Sequence, residues 1–235
     1  MWRSILVLLT ALSFANITTA QETNEVALDS VIDTKYREDQ FYIGATYNIF
    51  INKPEGMKQS GFSTGFHLGF IRDFPVNKNR TYAIGVGLGL STNTFNQNLG
   101  ISKVNNTSSY NVLDPTKITF TRNRYFTHLV ELPIEFRWRN STPSSYKFWR
   151  VYPGFKMGYM FANAYKYVGE PQSLRYTNLD VFNKLQYGVT LSGGYNTWNI
   201  HVYYALNPLL NDAKLQNGTA INANVIKVGL LFYIL

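Results

Sequence analysis

The chain has no cysteine in its 235 residues. That excludes a disulfide framework, thiolate metal sites, a cysteine nucleophile and a lipid-anchored N-terminal cysteine. It is also poor in charge: Asp, Glu, Lys and Arg make up 15% of it, against about 25% in an ordinary soluble domain. Long apolar runs are scarce as well. Beyond the leader no segment reaches the roughly 20 uninterrupted apolar residues that a membrane-crossing helix requires. A chain of this kind that enters a bilayer does so as strands.

Aromatic residues, by contrast, make up 16% of the chain, and the formal net charge is +8. The basic residues form no tract and accompany no groove-reading motif, so no nucleic-acid partner is expected. Several fall near expected turns, among them Arg72, Lys78, Arg80, Arg137, Arg139, Lys147 and Arg150. That placement suits turns that face head groups or the periplasm.

The first twenty residues read as an address. Arg3 precedes an apolar stretch from Ile5 to Phe14, and small residues Thr18, Thr19 and Ala20 come before Gln21. These are the three parts of a secretory signal peptide, with cleavage expected between Ala20 and Gln21. Residues 21–40 carry Glu22, Glu25, Asp29, Asp33, Glu38 and Asp39 without a strand pattern, and are expected to form a periplasmic lead-in. Residues 41–235 are expected to form the folded domain.

That domain alternates with period two, the period of a strand. Phe62, Thr64, Phe66, Leu68 and Phe70 share one face, and Ser63, Gly65, His67 and Gly69 the other. Tyr82, Ile84, Val86, Leu88 and Leu90 likewise oppose Ala83, Gly85, Gly87 and Gly89. Eight such segments are expected, at 41–51, 61–74, 81–92, 123–138, 146–163, 183–196, 198–207 and 224–235. Their connections alternate long and short, as the extracellular loops and periplasmic turns of an outer-membrane barrel do. The face opposite the aromatics is mainly Gly, Ser, Thr, Ala and Asn, which fits a crowded narrow lumen better than the charged exterior of a soluble barrel. Phe74, Tyr82, Phe136, Trp138, Tyr146, Phe148, Trp149, Tyr195 and Trp198 gather near the short-turn ends, as an interfacial girdle would. The expected fold is therefore all-β: an eight-stranded antiparallel up-and-down transmembrane β-barrel. Its last segment is apolar on both faces, which leaves its orientation open.

The stretch His128-Leu129-Val130-Glu131-Leu132-Pro133-Ile134-Glu135-Phe136 resembles the Leu-Glu-Ile-Pro-Leu stretch of the PorT-like outer-membrane β-barrel proteins of Bacteroidetes. Val151-Tyr152-Pro153-Gly154-Phe155-Lys156-Met157-Gly158 resembles the strand that follows it there. The resemblance spans about residues 40–235 and implies an eight-stranded barrel in the outer membrane. It also implies an accessory role in type IX protein secretion, with secretion-system proteins as partners. One departure is that this chain ends in Ile-Leu and not in an aromatic residue.

Glu131, Glu135 and Arg137 fall on the inward phase of one strand, and Arg150 and Lys156 on the inward phase of the next. Arg or Lys facing lipid costs about 2–4 kcal/mol at the midplane, so these charges are expected in the lumen, paired and space-filling. Glu131 and Glu135, four residues apart on a strand, stand about 13 Å apart, too far to share a reacting group. The histidines His67, His128 and His201 lie on three different strands without metal-ligand spacing. No catalytic residue, metal or cofactor is expected; the expected partner is outer-membrane lipid. The glycines at 85, 87 and 89 recur every second residue and are a lumen-facing row, not a nucleotide fingerprint. Pro133 is expected to force a bulge. The Asn-, Thr- and Ser-rich segment 92–123, with Tyr110 and Phe120, is the long loop best placed to meet a partner or simply to be a solvated surface. The alternative to an export role is a structural or adhesin-like barrel that binds ligands through such loops.

Overall fold

Alternating apolar and small or polar residues build eight long wall strands in the computed structural model, which describes residues 39–104, 107–140, 148–196 and 198–234. The signal peptide, its cleavage site at Ala20 and Gln21, residues 21–38 of the lead-in, and Tyr146 and Lys147 lie outside the described residues. The wall consists of β1 (Asp39–Ile51), β2 (Thr64–Pro75), β3 (Tyr82–Asn96), β6 (Phe120–Arg139), β7 (Trp149–Gly169), β9 (Leu185–Tyr195), β10 (Trp198–Ala205) and β11 (Asn224–Ile234). Each pairs antiparallel with both neighbours, and the β6–β7 and β1–β11 ladders close the ring. Closure removes free sheet edges. No helix of the described residues is long and apolar enough to cross a membrane.

Three short strands lie in the connections. β4 (Leu99–Val104) and β5 (Thr107–Val112) form a hairpin, and β8 (Leu174–Thr177) pairs with the far end of β7 beyond the reach of β9. The segment 92–123 is thus not one irregular loop. β3 continues through Asn96, β6 starts at Phe120, and the polar stretch between them still pairs, with Ser102 and Ser109 hydroxyls 2.6 Å apart. Strand β7 runs on to Gly169, past the expected end at 163. Asp39 and Gln40 belong to β1 and not to the lead-in, because Asp39 pairs with Arg72 of β2 and Gln40 is buried against Arg137.

The faces follow the pleat. Phe41, Ile43, Phe66, Leu68, Leu88, Leu90, Leu191 and Ile200 point outward and are exposed, while Tyr42, His67, Asn93, Ser192 and His201 point inward and are buried. At the short-turn end Phe74, Tyr82, Phe136, Trp149, Tyr195 and Trp198 stand on the outer face as a girdle. Phe148 departs from that expectation: it is buried, with the Arg150 guanidinium 4.4 Å from its ring centre. The orientation of β11 is fixed by its neighbours. Lys227, Leu231 and Tyr233 face in, and Val228 and Leu230 face out.

Pro133 makes no bulge. The β3–β6 ladder keeps one register across it, from Val86↔Ile134 to Gly89↔Glu131, and only the pairs between those are lost. Pro153 does the same to the β6–β7 ladder between Glu135↔Gly154 and Trp138↔Val151. Each ring removes one donor, and the adjacent bonds hold the strands in line. The register shifts of β6 fall elsewhere, between His128 and Leu129 and near Arg122.

Candidate functional site

The lumen is filled in tiers. At the short-turn end, Asp73 of β2 accepts from Arg137 Nη1 and from Arg139 Nη1, each at 2.6 Å. Arg137 also donates to Glu135 at 2.9 Å and to Gln40 at 2.9 Å. Its guanidinium lies between the rings of Tyr152 and Tyr233, at 4.6 and 4.8 Å from their centres. Arg139 is buried with it; it does not face head groups, because Asp73 draws it inward. One side chain on β2 thus holds two from β6 across the intervening strand β3.

The middle tier centres on Glu131. Lys156 reaches it at 3.2 Å, His67 Nδ1 at 3.3 Å and Lys227 at 3.9 Å. Thr46 stands 3.2 Å from the other His67 ring nitrogen. Both lysines also lie over the Tyr203 ring, at 5.9 and 5.2 Å. A buried carboxylate keeps its charge only when cations and donors replace the water it has lost.

Above this tier the long loops fold into an apolar cap. Phe50, Phe95, Tyr125, Leu129, Met160, Tyr165 and Phe182 pack with Leu99, Ile101 and Tyr110 of the hairpin and with Leu209 and Leu210. The Tyr125 hydroxyl donates to the Leu99 carbonyl at 2.8 Å, pinning the hairpin to the wall. Tyr110 is buried, which raises its phenol above the usual range. In the following turn the Thr116 hydroxyl and amide donate to Asp114 and hold its carboxyl below the ordinary range. A cavity of about 230 Å³ opens between the hairpin and the ends of β7 and β8, lined by Ile101, Leu113, Tyr165, Tyr167, Pro171 and Leu174 among others. Beneath the cap one void, lined by Phe95, Met160, Tyr203 and Lys227 among others, is about 20 Å³, room for about one water molecule.

The five charges picked from the sequence, Glu131, Glu135, Arg137, Arg150 and Lys156, are all buried in the lumen. They do not form one cluster. Glu131 and Lys156 belong to the middle tier, Glu135 and Arg137 to the lower one. Arg150 joins neither set of ion pairs and donates to the Asn196 carbonyl. Sequence reasoning missed Asp73, Arg139, His67 and Lys227 as members. Asp73 was within reach of it, since two-residue steps from His67 arrive there on the inward phase. Lys227 was hidden by a strand that is apolar on both faces.

Of the histidines, His67 and His201 both face the lumen and interact electrostatically with each other and with Glu131, Lys156 and Lys227, whereas His128 faces out beside Phe161. His201 Nδ1 lies 2.8 Å from the Ser192 hydroxyl, the spacing of a nucleophile and its base. Ser192 is 0% and His201 1% exposed. Among the described residues no group of three or more His, Asp or Glu is placed to hold a metal ion.

No curated protein matches the sequence. Among solved structures, the chain is similar to Ail, the attachment invasion locus protein of Yersinia pestis, in complex with the heparin analogue sucrose octasulfate. The identity is 16% over 84% of this chain and 98% of that one, with a TM-score of 0.37. A triple mutant of the Rhodopseudomonas blastica porin is 10% identical over 84% of this chain and 99% of that one, with a TM-score of 0.14. The family model for the outer membrane protein beta-barrel domain matches residues 19–211. With its closed eight-stranded ring and its apolar outer wall, the chain belongs to this outer-membrane β-barrel family.

Proposed function

We propose that this outer-membrane barrel is neither a channel nor an enzyme, but a binding and assembly element with an accessory role in protein export. The observation that carries the non-channel reading is the filled lumen: two tiers of ion pairs and an apolar cap occupy it, and the void between Phe95, Met160, Tyr203 and Lys227 is about 20 Å³. An eight-stranded barrel encloses just enough space for side chains, and here they occupy it. The sealed Ser192–His201 pair, out of reach of any substrate, supports a non-catalytic role. Work at the membrane then falls to the cap, the outer wall and the periplasmic turns. The export role rests on the likeness of residues 128–136 and 151–158 to PorT-like barrels, whose namesake is required for type IX secretion.

The test is a quantitative comparison of secreted proteins between a deletion strain and wild type. Export cargo held back in the periplasm, with other outer-membrane proteins at normal levels, is the expected result. Unchanged secretion overturns the export role and leaves the barrel to its extracellular surface. A second reading, ligand capture at the cell surface, is favoured by the 230 Å³ cavity between the hairpin and β7–β8. Replacing Leu113 and Leu174 by Asp would then abolish surface attachment without changing secretion.

A further inference from the structure

The outer wall carries a row of cations just beyond the aromatic level of its extracellular end. Tyr125, Tyr165 and Tyr167 point into the barrel, so the alternate residues Arg124 and Lys166 point out. Lys166 stands opposite Arg124 in the β6–β7 register and opposite Arg175 in the β7–β8 register. The three side chains therefore form one line across three adjacent strands. Among the described residues none of them has a carboxylate within ion-pair distance. Like charges placed directly opposite on neighbouring strands repel, so the row is stabilised by an anion that comes from outside the chain.

Position and shape say which anion. Arg124 is one outward step beyond Phe126, lies 5.9 Å from that ring's centre, and is steadied by Asn96 Oδ1 at 2.5 Å from its Nε. Below the row a groove of about 310 Å³ runs along the wall, lined by Phe126, His128, Ala164, Lys166 and Arg175. One end of the groove is basic and the other apolar, and the apolar end continues into the lipid-facing surface at Phe161 and Tyr159, both exposed. A soluble anion would meet the loop tips; a ligand that fills this groove brings acyl chain and charge together.

We propose that Arg124, Lys166 and Arg175 bind the phosphate of a phosphorylated glycolipid in the outer leaflet, with an acyl chain lying along Phe126 and Ala164. Guanidinium groups suit phosphate because they donate in a planar fork, and the lysine adds a point charge. The site ties β8 and the end of β7, the tallest part of the wall, to the leaflet that surrounds it.

The test uses the full chain refolded in neutral detergent, with bound lipid counted by native mass spectrometry. The probes are bis-phosphorylated lipid A, the same lipid after dephosphorylation, inorganic phosphate and a soluble sulfated oligosaccharide. Wild type is expected to prefer phosphorylated over dephosphorylated lipid by roughly 100-fold, from about a fivefold factor for each basic side chain. The triple variant Arg124→Gln/Lys166→Gln/Arg175→Gln loses that preference. Its control, Lys53→Gln/Lys103→Gln/Lys214→Gln, removes equal charge from the same end and keeps it. Equal binding of the two lipids, an equal loss in the control, or the same affinity for the soluble anions overturns the proposal. Should the triple variant not fold, Lys166→Gln alone is expected to lower the preference about fivefold, and an unchanged preference overturns the proposal.

Discussion

Asp73 and Arg137 belong to strands that do not pair with each other, yet their side chains meet at 2.6 Å across the width of β3. The bond passes over Gly85, where an added Cβ would stand 2.8 Å from the Arg137 Nε. Glycine on the middle strand is what lets the outer two be joined. The contact is thus a brace across three strands and not a local pair.

Removing one partner of such a brace leaves a buried charge without compensation. Asp73→Asn strands Arg139, whose carboxylate partner among the described residues is Asp73, leaves Arg137 to Glu135 alone, and is expected to destabilise the barrel by about 3–5 kcal/mol. Urea unfolding of the detergent-refolded protein, followed by loss of the heat-modifiable gel band, measures it. A double-mutant cycle with Arg137→Met is expected to show strong coupling, and additive losses would mean that the brace carries no energy of its own.

Arg150 sets the contrast. It packs on Phe148 and donates to a carbonyl, outside both ion-paired tiers. Arg150→Met keeps most of that packing and gives up one charge-assisted hydrogen bond, so a cost of about 1.5–3 kcal/mol is expected, below that of Asp73→Asn. The same unfolding series ranks the two, and an equal or larger loss at Arg150 would refute the distinction.

Tyr42 lies across two strands that have no side chain to oppose it. A Cβ at Gly89 would sit 2.0 Å from the Tyr42 hydroxyl, and one at Gly69 would sit 2.6 Å from its ring. Gly89→Ala is therefore expected to cost about 1–3 kcal/mol through overpacking. Adding Tyr42→Phe removes the clashing oxygen and restores part of the loss. If Gly89→Ala unfolds like wild type, the ring has more room than the structure gives it.

A lumen filled in tiers carries no stepwise current. Wild type in planar bilayers is expected to show no discrete conductance. Excision of β4 and β5 with a short Gly-Ser replacement leaves the wall strands intact but frees Tyr125 and Phe95 from Leu99 and Ile101. The variant is expected to keep its heat-modifiable band while the connection 170–184 becomes sensitive to protease. Protection as strong as in wild type would show that the hairpin does not organise the cap.

The wall was legible because membrane and lumen impose opposite demands at every second residue. Phe66 and His67, or Leu88 and Gly89, announce their sides by chemistry alone. Legibility stopped where that contrast fades. Segment 99–112 mixes Ser, Asn and Lys with the apolar Leu99, Ile101 and Tyr110, which pack into the cap and not against lipid, so it carried no lipid-facing signal. The inward charges of β6 were visible, but their partners depend on register between distant strands, which put Asp73 beside Arg137 and Lys227 beside Glu131. Pro133 misled for a related reason: a lost donor breaks a bond, but the neighbouring rungs decide whether the strand shifts.

The β1–β11 ladder runs through eleven pairs, from Phe41↔Ile234 to Ile51↔Asn224. A cylinder sewn along that seam has no smaller version of itself. With the last strand missing, the other seven make a curved sheet with two raw edges, open to any chain that can add a strand. The stitch that finishes the structure therefore joins β1 to β11, the two wall strands farthest apart in the chain. Until that seam is made the wall stays open at both edges, and making it turns a curved sheet into a cylinder in one step.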